Sequence, residues 1–151
     1  MNQEKLMKRK MIRAIILCLL TMVALAVFIA LYIDETRRVQ ETYRRQYMTD
    51  LSHVIEDIDS YKNGKGDHSL RYMRIVNNMG SANSFAFLIE SLDDEKKKTI
   101  NEVNACVMKY PEQMKDKLDE LRTALSDISE GLDKGYTEAA DMVSSVDKMG
   151  K

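Results

Sequence analysis

Tryptophan is absent from this 151-residue sequence, proline occurs once, glycine six times and cysteine twice. Scarce proline and glycine remove the usual helix breakers, and the Leu, Met, Glu, Lys and Ala that dominate instead are strong helix formers. The composition predicts an all-α protein. Cys18 lies inside an apolar run and Cys106 far outside it, so a disulfide within one chain is not expected. A clustered basic surface is also lacking beyond the first residues. Residues 34–151 hold 18 Lys/Arg against 23 Asp/Glu, a balance that repels phosphate backbones, so nucleic acid is not an expected partner.

What is present starts with one long hydrophobic segment. From Ala14 to Ile33 there are 20 residues without a charge, bounded by Arg13 and Asp34. About 20 apolar residues are what a helix needs to cross a hydrocarbon core of about 30 Å. The basic residues Lys5, Lys8, Arg9, Lys10 and Arg13 lie directly upstream. Ala24-Leu25-Ala26 fits a small-x-small cleavage pattern, but the run continues through Val27 to Ile33, longer than a signal peptide's apolar region. A retained signal anchor is expected. Leu17 stands where a lipoprotein box would need a small residue before Cys18. Arg37, Arg38, Arg44 and Arg45 follow the span and nearly balance the upstream charge. The upstream charges sit in a short tail that need not be translocated, which favours the N-terminus inside and the rest outside. Tyr32 suits the lipid–water interface. Ala14, Cys18, Ala26 and Ala30 form a stripe interrupted by Met22, a spacing compatible with close approach of two helices in the membrane.

The expected division is therefore a cytoplasmic tail over 1–13, a transmembrane signal anchor over 14–33 and one extracytoplasmic helical domain over 34–151. Val39, Tyr43, Tyr47, Leu51, Ile55 and Ile58 recur at helical steps, and no breaker separates them from the anchor. One continuous helix from about Ala14 to Tyr61 is predicted, leaving the membrane as a stalk and ending at Asn63-Gly64-Lys65-Gly66-Asp67. A second helix, capped by Asp67 or Ser69, carries Leu70, Met73, Val76, Met79, Phe85, Leu88, Ile89 and Leu92, with a kink or split expected at Gly80 to Ser84. A third, capped by Asp93, carries Ile100, Val103, Cys106 and Val107 and stops before Pro111. Met114, Leu118, Leu121, Leu125, Ile128 and Leu132 alternate four- and three-residue steps like a coiled-coil seam, extended by Tyr136, Ala139, Val143, Val146 and Met149. Gly131 and Gly135 either divide this segment or leave a weak point in one long helix. A three- or four-helix antiparallel bundle with a coiled-coil-like C-terminal helix is the expected way to bury these stripes.

No catalytic, cofactor-binding or metal-binding residue is assigned. Asp50-x-x-His53, with Glu56 and Asp57 a turn later, resembles half of a di-iron carboxylate site, but no second such pair exists and His68 lies in the turn. Cys106 falls on an apolar stripe, where a thiol packs as a small hydrophobe. The methionines are scattered at core spacings. Lys96-Lys97-Lys98 follows Asp93, Asp94 and Glu95 and reads as a solvated helix start, and no glycine-rich phosphate loop occurs. Tyr43, Tyr47 and Tyr61 with Arg44 and Arg45 have the composition of a contact surface, although packing on the protein's own later helices is the plainer expectation.

These features point to a noncatalytic, membrane-anchored interaction or scaffold module, with the bilayer and either a protein partner or a second copy as its partners. In layout it resembles bacterial cell-division scaffold proteins. The alternative is an extracytoplasmic ligand sensor, similar in outline to the four-helix domains of chemoreceptors. Those have a second span and an output region, so this chain would signal through another protein. An enzyme would need polar groups converging in a pocket, and the sequence advertises none.

Overall fold

Six α-helices make up the regular structure of the computed structural model, which describes residues 2–64 and 66–148; no strand occurs among them. They are α1 (Asn2–Asn63), α2 (His68–Leu88), α3 (Asp94–Lys109), α4 (Pro111–Asp116), α5 (Leu118–Gly131) and α6 (Tyr136–Ser144). Lys65 of the expected turn and Met149 of the last apolar stripe lie outside the described residues.

The chain divides into two compact units, residues 1–39 and 40–151. In the first, α1 starts at Asn2, twelve residues before the predicted Ala14, so the basic tail is helical too. The most apolar 18-residue window of α1 has a mean hydropathy of 3.0 and none of it is buried. This is one N-terminal helix long and apolar enough to cross a membrane. Within the run, Thr21 Oγ1 donates to the carbonyl of Leu17 at 2.6 Å, so its hydroxyl is satisfied inside the helix.

The second unit holds a single core. Tyr47, Leu51, Val54 and Ile58 of α1 are fully buried in it. Residues 40–63 of the expected stalk therefore belong to the helical domain, as the plainer reading of Tyr43, Tyr47 and Tyr61 had it: four apolar residues at four-, three- and four-residue steps make a stripe that the later helices cover. Bonds across the unit give the directions. Ser81 Oγ donates to Asp50 at 2.7 Å and Asn78 Nδ2 to Asp57 at 2.7 Å, so rising numbers on α1 meet falling numbers on α2. Asn83 with Asn101 and Tyr72 with Val107 set α2 against α3 in the same opposed sense. Arg122 with Asp59 and Tyr136 with Tyr47 do so for α1 against the last third of the chain.

Several helix ends follow from local chemistry. Asp67 Oδ1 accepts from Leu70 N at 3.1 Å, and Asp93 Oδ1 from Lys96 N at 2.8 Å, each satisfying an amide left over in a first turn. Helix α3 ends at Lys109, and Pro111 opens α4 at a position where its missing N–H costs nothing. Helix α2 runs unbroken through Gly80 to Ser84, so the split considered there does not occur. Ser81 and Asn83 direct their polar groups to neighbouring helices, while Ser84 Oγ shares the Gly80 carbonyl with the helix's own ladder.

The C-terminal segment is not one helix. It is interrupted at Lys117, and again at residues 132–135, which decides between the two readings left open at Gly131 and Gly135. Leu132 caps α5 with a left-handed φ of 62°, held there by its buried side chain. Gly135 has φ 85°, and a Cβ on it would lie 2.4 Å from the Ala124 carbonyl oxygen, so only glycine fits. The apolar series from Met114 to Val146 is buried in the chain's own core.

Candidate functional site

The residues singled out for chemistry are not brought together. Asp50 is buried, its carboxylate taken by Ser81 Oγ at 2.7 Å and Gln46 Nε2 at 3.0 Å, while His53, three residues on, is exposed. His68 sits edge-on to Tyr61, 5.3 Å between ring centroids. Among the described residues no group of three or more His, Cys, Asp or Glu is arranged to hold a metal ion. Cys106 is 2 % exposed among core side chains, and burial raises its thiol pKa, so the reactive thiolate is disfavoured.

Tyr43, Tyr47 and Tyr61 of α1 pack against later helices. Tyr47 is fully buried, with its hydroxyl 3.5 Å from that of Tyr136; burial, then the neighbouring phenol, raises its pKa. Tyr43 lies 6.3 Å from Phe85, and Tyr61 lies 6.0 Å from Tyr72. Tyr72 is also raised, chiefly by burial, and donates to the Val107 carbonyl at 2.8 Å. These side chains tie helices together.

Polar side chains at the helix ends do similar work. Gln40 Nε2 donates to the Leu88 carbonyl at 3.2 Å while its Oε1 accepts from Glu90 N at 3.0 Å. Gln113 does the same at Asp147, donating to its carbonyl at 2.9 Å and accepting from its N–H at 2.8 Å. Both glutamines satisfy main-chain groups where helices stop. Sequence reading missed them, because a glutamine on a helix face carries no spacing signal. Arg122 grips Asp59 with two bonds, 2.7 and 3.0 Å, which lowers the Asp59 pKa.

Two surface features remain. An open cleft of about 800 Å³ is lined by Asp93, Lys96, Asp127, Asp133 and Tyr136 among others. Lys96 Nζ stands 3.8 Å from Asp93, 3.6 Å from Asp133 and 5.4 Å from the Tyr136 ring centroid, so the triple-lysine segment contributes one cation to an acidic surface. The second feature lies on α2 and α3. Leu70, Met73, Phe87, Leu88 and Met108 are exposed, and they are the only large apolar side chains of the second unit that are so among the described residues. Leu70, Met73 and Leu88 were expected in the core, yet Tyr72, Ile75, Met79, Ala82 and Ala86 form the buried side of α2. Helix α2 has apolar residues on two sides, and the smaller side chains of Ala82 and Ala86 were taken inside.

Comparison with protein-family models, with curated proteins and with solved structures finds no match to this chain.

Proposed function

We propose that the protein is a membrane-anchored, noncatalytic helical interaction or scaffold module, with residues 1–13 in the cytoplasm, 14–33 as a retained single-pass anchor and 34–151 outside. The observation that carries this reading is the wholly exposed apolar window of α1, which costs free energy in water and gains it in a bilayer. The second unit adds support, since its buried acid, its phenols and two of its glutamines are consumed in tying helices together. Its helices read as an antiparallel bundle whose last stripe closes internally, not as a coiled coil between chains.

Topology is tested on the full chain with Ser52→Cys, an exposed position, and a maleimide that does not cross membranes. Labelling in intact cells is expected, and labelling only after permeabilisation overturns the topology. Photocrosslinking from the same unit tests the module: capture of a protein, either a second copy or another chain, is expected.

The ligand-sensor reading is favoured by the cleft of about 800 Å³, within the size range of small-molecule pockets, whose acidic lining suits a cationic ligand. A rise in melting temperature with small amines supports it, since a ligand that binds only the folded state stabilises it. Absence of any rise across such a series removes it.

A further inference from the structure

We infer that the end of the second unit next to the anchor touches the bilayer surface through Phe87 and Leu88, an inference that depends on the reading of residues 14–33 as an anchor but not on which side the unit lies. Position is the first argument. Gln40 opens the second unit and is clasped to the Leu88 carbonyl and the Glu90 N–H, so the last turn of α2 is fixed where the chain enters the unit. Gln40 follows Ile33 by seven residues. That is about 10 Å along a helix and at most about 25 Å for any conformation of the connection, so this end stays beside the lipid whatever angle the unit takes. The other exposed apolar side chains are elsewhere. Leu70 and Met73 lie where Arg71 bonds to the Ser60 carbonyl, about 30 Å further along α1, and the Tyr72 bond to Val107 puts Met108 there too.

The side chains at this end are the second argument. Phe85 and Phe87 are the two phenylalanines of residues 34–151, and both fall here. Phe85 packs partly buried beside Tyr43, whereas Phe87 is 54 % exposed and Leu88 47 %. From Ile75 to Ile89 no side chain ionises, so this stretch of α2 enters an interface without desolvating a charge. Arg44 and Arg45 on α1, and Glu90, Asp93, Asp94 and Glu95 after α2, leave the surroundings of mixed sign. The apolar pair, and not a head-group charge, therefore makes the contact. Two side chains fall far short of the roughly 20–30 residues a side of a stable protein interface. A lipid surface needs no such area, because it takes up Phe and Leu without a matching shape and the anchor supplies it at high effective concentration.

Because the sequence has no tryptophan, single-tryptophan variants of the full chain report their own surroundings. In phosphatidylcholine vesicles, Phe87→Trp and Leu88→Trp are each expected to emit further to the blue than Leu70→Trp. Both should lose intensity to lipids brominated near the head-group end of their chains, and Leu70→Trp should lose none. Leu25→Trp, inside the span, is expected to be quenched by lipids brominated deep in their chains and reports the anchor itself. If Phe87→Trp and Leu88→Trp both keep the intensity and the red emission of Leu70→Trp while Leu25→Trp is quenched, the contact is overturned and the anchor stands. Blue emission without quenching means that protein covers the pair, and overturns the contact equally. Quenching of Leu70→Trp to the same extent shows a unit lying flat on the surface and overturns the assignment to this end. An unquenched Leu25→Trp overturns the anchor reading and the contact with it.

Discussion

Residues 14–33 and 40–63 belong to one helix and live by opposite rules. The first stretch has no charge and leaves every side chain exposed. The second buries Tyr47, Leu51, Val54 and Ile58 and sets Arg44, Arg45, Glu56 and Lys62 outward. The absence of proline and glycine makes both helical, but the placement of charge decides what surrounds each. A helix apolar all round needs an apolar solvent; a helix apolar on one stripe needs only other helices.

The comparison breaks most sharply with truncations in the two stretches. Leu51→Ala should cost about 2–5 kcal/mol in unfolding free energy, because the lost methylenes leave a cavity in a packed core. Leu25→Ala should leave that transition unchanged, and denaturant unfolding of the full chain in detergent reads both. A charge sharpens the contrast from the other side. Leu25→Lys should cost about 2.5–3.5 kcal/mol at the centre of a span and reduce membrane retention after alkaline extraction. Ser52→Lys, on the exposed side of the second stretch, should change neither retention nor stability.

A smaller effect is expected at the buried acid. Asp50→Ala leaves the Ser81 hydroxyl and the Gln46 amide without their acceptor, at a cost of about 1–3 kcal/mol, measurable as a lower melting temperature. Ser52→Ala nearby is the neutral control. The smallest effect is electrostatic. Arg122 holds the Asp59 pKa below its ordinary 3.8, so the pair's contribution is complete above that value and is lost as pH falls through it toward the lower folded pKa. Both side chains are close to half exposed, and water screens most of the attraction. Arg122→Ala should flatten the loss of stability between about pH 5 and about pH 2, in acid titrations followed by circular dichroism.

Much of the helical layout was legible because it rests on local signals. The caps at Asp67 and Asp93 and the stop before Pro111 each depend on residues within a turn of the event, whereas Gly131 and Gly135 left one helix or two equally open. The apolar run was legible for the same reason. What failed was set by packing at a distance. The stripe of α1 was legible as something to be covered, but its covering lies on residues 72–146 and local spacing could not name those partners. On α2 two apolar sides compete, and nothing in the spacing says that Ala82 and Ala86 go inside while Met73 and Phe87 stay out. The interruption at Lys117 has no proline or glycine to announce it. That Asp50 turns inward to Ser81 while His53 stays exposed is likewise set by packing at a distance.

The clasp at Gln40 has a consequence for kinetics. The Glu90 amide hydrogen is held by a side chain from a different helix, not by the ladder of α2. Its exchange with deuterated solvent therefore times the release of that glutamine, independently of fraying along α2. One amide signal thus becomes a clock for how often this end of the unit loosens, and at the same time the Leu88 carbonyl on the other half of the clasp is freed to bind water.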